Sequence, residues 1–154
     1  MSPKHAISQQ KLPLPSPQAA NYGPWLRKAI ERGLAAKSTS LAKGLTERGR
    51  FRSQLSRLFA DVDAILMPVV RQGTPTSTEA DGMIERDVEG LMRFTAIANA
   101  AGDPAVTLPC GFTSDQRPVG FQLIGPHCSE ATLLKLGYAY QQATNWHTRH
   151  PKQH

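Results

Sequence analysis

Cysteine is scarce in this 154-residue chain, with Cys110 and Cys128 the only two. Two thiols at that separation, with no CxxC and no paired-histidine spacing, exclude a disulfide framework and give no expectation of a metal site. Both read as small, semi-buried apolar side chains. Long apolar runs are missing too. No stretch approaches the ~18 residues of a bilayer-spanning helix, and the opening MSPKHAISQQKLPLPSPQ is polar and proline-broken where a secretory signal would be apolar. The expectation is a soluble, cytoplasmic protein with no membrane partner. Acidic residues are nearly absent from the first third. Residues 1–57 hold 11 Lys and Arg against Glu31 and Glu47 alone, a surplus of nine positive charges. The remainder reverses the sign, with seven basic residues against ten acidic ones. A basic segment can attract nucleic acid. Stacking platforms should then alternate with Arg48, Arg50, Arg52 and Arg57, whereas Phe51 and Phe59 belong to an apolar stripe. The arginines read as the wet face of a helix, and nucleic acid is not the expected partner.

What is present suffices for one domain, because 40% of the residues are apolar. Residues 1–21, with four prolines and many Ser and Gln, read as a flexible leader; residues 22–151 form the folded segment and 152–154 a tail. Helical spacing begins at 22–34, entered through Pro24. Ser38, Thr39 and Ser40 offer caps for a longer helix to about Ala60, whose core stripe is Phe51, Leu55, Leu58, Phe59 and Val62. Ala64 to Met67 is a buried strand stopped by Pro68, and residues 71–82, rich in Gly, Pro, Thr and Ser, read as a loop. Asp87 caps a helix that carries Leu91, Phe94, Thr95, Ala98 and Ala101 on one side and ends at Gly102 and Pro104. Residues 105–108 and 119–124 are strands joined by a polar turn at 114–117, with Pro109 and Gly111 ending the first. Ser129 caps a last helix, with the stripe Leu133, Leu134, Leu136, Gly137 and Tyr140, ending near Trp146. The result is an α/β pattern of about three strands and four helices. A typical sheet has ~5–6 strands, so this reads as a piece of a larger one.

Three blocks sharpen that reading. Residues 48–68 read RGRFRSQLSRLFADVDAILMP, residues 94–112 read FTAIANAAGDPAVTLPCGF, and residues 118–130 read PVGFQLIGPHCSE. In that order and spacing they resemble the "DALLTP", "FT..N..G.PA" and "P.GlQliG....E" segments of the amidase-signature family, and Gly23 to Arg27 fits upstream. The resemblance implies the C-terminal part of an amidase, a fragment of that family's mixed sheet flanked by helices, acting on carbon–nitrogen (amide) bonds. The family uses a Ser nucleophile, a second Ser and a Lys, with backbone donors in a Gly/Ser-rich loop; a Ser hydroxyl needs such a base and such donors to attack an amide. This sequence contains no GGSSGG-like stretch, so no catalytic residue is assigned and the chain alone is expected to be inactive. A small-molecule amide would be its substrate only when an upstream catalytic segment completes it. By the same resemblance Met67, Pro68, Val69 and Phe94 are expected to line the acyl pocket, and Thr95 and Asn99 to orient loops. Met92 stands where glutamine-using amidotransferase subunits carry an acid, favouring a general amidase parent. No cofactor is implied. Self-association, or docking on an intact amidase, is the expectation for a truncated sheet with an open edge.

Other chemistry-bearing strings weigh less. Ser40 and Lys43 form an SxxK string, as in penicillin-binding serine acyltransferases, but no KTG box follows and Ser40 doubles as a helix cap. Asp61 and Asp63 flank a helix end. His127 precedes Cys128, but adjacent side chains point apart. His147, His150 and His154 trail into solvent.

Overall fold

The computed structural model describes residues 21–150, the side chain of Glu85 excepted. The leader and tail expected from the sequence, with His154, therefore fall outside the described residues except for Asn21. The chain divides after Gly44 into two compact units. In the first, α1 (Pro24–Leu34) begins as expected, with a proline in its first turn. The helix α2 (Ser38–Leu58) starts in this unit and continues into the second. Its entry is Lys37, whose carbonyl accepts the N–H groups of Ser40 and Leu41. Ser40 thus lies inside the helix and does not cap it.

In the second unit the order after α2 is β1 (Ile65–Pro68), α3 (Ser77–Arg86), α4 (Val88–Met92), α5 (Thr95–Ala101), β2 (Ala105–Phe112), β3 (Pro118–Ile124) and α6 (Glu130–Ala143), then a 3-10 turn at Trp146–Thr148. Three strands are present as expected, and they are antiparallel in the order β1-β3-β2. Six α-helices replace the expected four among the described residues. One addition, α3, lies in the segment expected to be a loop. A capping box starts it: the Thr76 hydroxyl accepts the Glu79 N–H at 3.2 Å, and the Glu79 carboxylate accepts the Thr76 N–H at 2.8 Å. The other arises because the helix capped by Asp87 breaks after Met92. There the Thr95 hydroxyl donates to the Met92 carbonyl at 3.3 Å, competing with the helix's own hydrogen bonding.

The strands also run further than the sequence suggests. Pro68 belongs to β1. The Val69 N–H donates to the Gly120 carbonyl, so by antiparallel alternation position 68 faces the free edge, where a missing N–H costs no ladder bond. Pro109 and Gly111 lie within β2 instead of ending it. Pairing shifts by one residue between them, leaving Cys110 as a bulge, and Gly111 takes φ 149°. At the close of α5, Gly102 adopts the left-handed C′ conformation at φ 77°, as expected.

The core forms where α6 packs on the sheet. Leu108, Leu123 and Leu133 make its centre, with Ala64, Val106, Phe121 and Tyr140 around them. α6 meets the sheet at Gly137, where a Cβ would make ordinary van der Waals contact with Leu108 at 3.5 Å, and Phe121 meets Tyr140 edge-on at 4.9 Å. Several stripe residues remain outside this core. Leu134 and Leu136 on α6, and Leu58 and Val62 at the end of α2, are exposed, and only Leu55 of the α2 stripe is buried. Ser129 occupies the N-cap position of α6, but its hydroxyl is buried without a partner and makes no cap bond. The helix ends at Ala143, before Trp146, where Thr144 turns extended. Arg48 is more than a wet-face residue: it donates to the Ala100 carbonyl at 2.7 Å and so satisfies an end of α5.

Candidate functional site

β1 delivers the first of the expected pocket residues. Met67 pairs with Gln122 and is half-buried, Pro68 pairs with Phe121 and is exposed, and Val69 continues the pairing to Gly120. A Cβ on Gly120 would lie 3.2 Å from the Leu108 carbonyl oxygen and 3.7 Å from Val69, so this glycine lets the strands close up. Sequence reasoning missed Gln122. It is 3% exposed and its amide donates to the Pro68 carbonyl at 3.2 Å, fixing the point where the chain leaves the sheet. A glutamine inside the apolar run GFQLIG was the available signal, because a buried amide requires a partner.

Beyond that point a cavity of about 200 Å³ opens between the loop after β1 and the pair α3–α4. Its walls include Val70, Pro75, Met83 and Leu91, with Arg71 and Asp87 supplying charge. Its lining starts one residue after Val69 and reaches Leu91, so Met67, Pro68, Val69 and Phe94 border this region without lining the cavity. Phe94 sits half-buried at the α4–α5 junction. Beside it, the Thr95 hydroxyl bonds Met92 and the Asn99 amide donates to the Thr95 carbonyl at 3.2 Å. The first of these bonds spans the helix break and the second lies within α5.

An ion-pair cluster holds one wall of the cavity. Arg117, in the β2–β3 turn, donates to Glu79 at 2.9 Å, to Asp115 at 2.7 Å and to the Thr74 carbonyl at 3.4 Å. The Thr74 hydroxyl donates to the Pro118 carbonyl at 2.7 Å, and the Thr113 hydroxyl donates to Asp115. The Glu79 carboxyl is held below its ordinary value, chiefly by the Thr76 N–H and also by the Thr76 hydroxyl and the Arg117 charge. That of Asp115 is lowered by the Thr113 hydroxyl first and by Arg117 next.

A larger and more open cavity, about 520 Å³, lies between α2 and the turns at Asp103 and Pro126; Arg52, Ser56, Phe59 and His127 face it. Asp103 and Ser53 also line this open groove, and no hydrogen bond joins Asp103, His127 and the two serines to one another. The other candidate strings do not assemble. Ser40 and Lys43 are exposed on α2, and Asp61 and Asp63 are exposed in the turn before β1. Cys128 is exposed and Cys110 half-buried. His147 and His150 are exposed, and no cluster of metal-ligating side chains occurs among the described residues. Among these residues all four lysines, Lys28, Lys37, Lys43 and Lys135, are exposed, and no serine hydroxyl is hydrogen-bonded to a lysine amine.

Sheet, covering helices and a cavity beside the end of β1 define a mixed α/β segment. The sequence model of the Amidase family matches residues 5–134, and the chain belongs to that family. Its relatives include a glutamyl-tRNA(Gln) amidotransferase subunit of Chloroflexus aggregans (strain MD-66 / DSM 9485), 38% identical over 137 residues. Another is an amidase of Pseudomonas putida, 31% identical over 132 residues. These matches take in 84% and 82% of this chain but only 27% and 28% of the relatives, so the chain spans under a third of their length. The crystal structure of an amidase superposes with a TM-score of 0.71 at 23% identity, over 82% of this chain and 30% of its own. A 6-aminohexanoate cyclic dimer hydrolase follows at 0.70 and 25% identity, over 83% of this chain and 29% of its own.

Proposed function

We propose that this chain is the C-terminal part of an amidase-type hydrolase acting on carbon–nitrogen bonds. It contributes the sheet and the acyl-side wall of the substrate site, while the Ser-Ser-Lys machinery comes from elsewhere. The cavity beside the end of β1 takes a compact apolar group of an amide, with Met67, Pro68, Val69 and Phe94 as its border, Thr95 at the helix break behind it and Asn99 within α5. The observation that carries the reading is the separation of hydroxyls from amines. Amide cleavage needs a serine beside a base and donors facing the oxyanion, and no described serine has a lysine partner. The cytoplasm is the location that goes with this reading. No helix among the described residues is long and apolar enough to cross a membrane.

The test is ammonia release from benzamide and from glutamine by the purified chain. No release above buffer is expected, and turnover by the chain alone would overturn the proposal. A second reading, a non-catalytic partner that docks on an intact amidase, is supported by Leu134 and Tyr138. They stand one turn apart on α6 and are each 65% exposed. A clean monomer that leaves the solution mass of an added amidase unchanged would remove it. Nucleic-acid binding gains no support, since Arg48, Arg50 and Arg57 are committed to hydrogen bonds within the chain.

A further inference from the structure

The geometry points to Arg117 as a positioning residue for the cavity beside β1: its guanidinium fastens the β2–β3 turn to the segment Gly73–Glu79 that walls the cavity. This inference rests on the substrate-site reading above. The segment, which runs into the first turn of α3, has few apolar anchors of its own, since all its residues but Gly73 and Pro75 are exposed. What orders it comes from the hairpin. Arg117 reaches Glu79 and the Thr74 carbonyl, across 38 and 43 residues of sequence, and Asp115 holds the same guanidinium from the other side. Thr74 returns both its hydroxyl and its N–H to the Pro118 carbonyl, at 2.7 and 3.4 Å. Gly73 allows the two strands of chain to touch, because a Cβ there would come within 2.5 Å of the Thr113 methyl group.

The clamp reaches beyond the loop because of one atom. Glu79 Oε2 accepts both the Arg117 guanidinium and the Thr76 N–H that opens α3. The ion pair and the helix start therefore share an acceptor, and Met83, one turn further along α3, faces the cavity. Releasing Arg117 frees the start of α3, and with it the wall formed by Gly73, Pro75 and Met83. A planar guanidinium with several donors suits this role, because it meets two carboxylates and a carbonyl together, which the single ammonium of lysine does not.

Amide hydrogen exchange on the full chain, with NMR titration of benzamide, tests the clamp. Arg117→Ala is expected to speed exchange in residues 73–86 about fivefold while Leu123 and Ile124 keep their protection. Arg117→Lys should fall between, and the effect of Arg117→Ala should shrink when Glu79→Gln is already present, since the pair is then broken. Asp115→Asn, which removes one arm only, gives the same pattern in smaller measure should the alanine variant not fold. Benzamide should shift Met83 and Leu91 in the parent chain and lose affinity in Arg117→Ala. Unchanged exchange in Arg117→Ala, an undiminished effect in the Glu79→Gln background, or equal benzamide affinity in parent and variant overturns the inference. Exchange that responds as expected while benzamide shifts nothing in the parent chain instead overturns the substrate-site reading, and with it the role of Arg117 towards substrate.

Discussion

Two residues in left-handed backbone, Gly102 and Gln116, carry opposite consequences. Gly102 at φ 77° pays no steric penalty, and Gly102→Ala should lower stability by about 1 kcal/mol. Gln116 adopts φ 63° with a full side chain, so Gln116→Gly should raise stability by roughly 0.5–1 kcal/mol. Urea unfolding of the two variants reads both signs at once. Leu133 is 2% exposed at the centre of the core, and Leu133→Ala should cost about 2–5 kcal/mol in the same measurement. Gly102 is legible in the sequence because a glycine before Asp-Pro can only end a helix. Gln116 is not, because nothing local to Asp115-Gln116-Arg117 demands a positive φ; the hairpin register imposes it. Gln122 is legible only in part. The apolar run GFQLIG around it signals burial, but the acceptor it finds, the Pro68 carbonyl, lies 54 residues away in sequence and no local pattern names it.

At the scale of elements, the apolar stripes locate most helices and strands, and the corrections share one cause. Capping and register, unlike periodicity, depend on one or two side chains. The short helix α3 hides in a run of Gly, Pro, Thr and Ser because its signal is only Thr76 and Glu79, three residues apart. The break before α5 comes from one threonine hydroxyl, and the extension of β2 past Pro109 comes from one bulged cysteine. The exposed leucines of α2 and α6 look like core residues in sequence because helical spacing reports a face without reporting what covers it. The clamp between the β2–β3 turn and α3 also gives an acid response. Glu79 and Asp115 sit below their ordinary values in the folded chain, so folding favours their charged forms. Their contribution is complete above the ordinary carboxylate range, about pH 4 to 4.5, and is lost as the pH falls through the lower folded values. Thermal unfolding between pH 7 and 3 should therefore show a shallower acid decline in the double variant Glu79→Gln/Asp115→Asn than in the parent chain. Equal slopes would show that these carboxyls titrate alike folded and unfolded.

For the whole molecule, the order of the three blocks is the most legible feature, since it alone carries the family. The position of the cavity is less so. Resemblance points to the end of β1, where the Gly120 carbonyl accepts the Val69 N–H and the Gln122 amide donates to the Pro68 carbonyl, and a cavity is lined from Val70 onward. A sheet of three strands with few fully buried side chains is thin, and large apolar groups stay outside. Leu134→Ser and Tyr138→Ser should each change the stability of the isolated chain by no more than about 0.5 kcal/mol, because neither side chain is buried in it. Amide hydrolysis, by contrast, demands an activated hydroxyl, and no described serine is hydrogen-bonded to a lysine amine. Intact-mass spectrometry after treatment with a fluorophosphonate probe tests that claim most directly. The account predicts an unmodified mass for the folded chain, and an adduct on any serine of this sequence would contradict it.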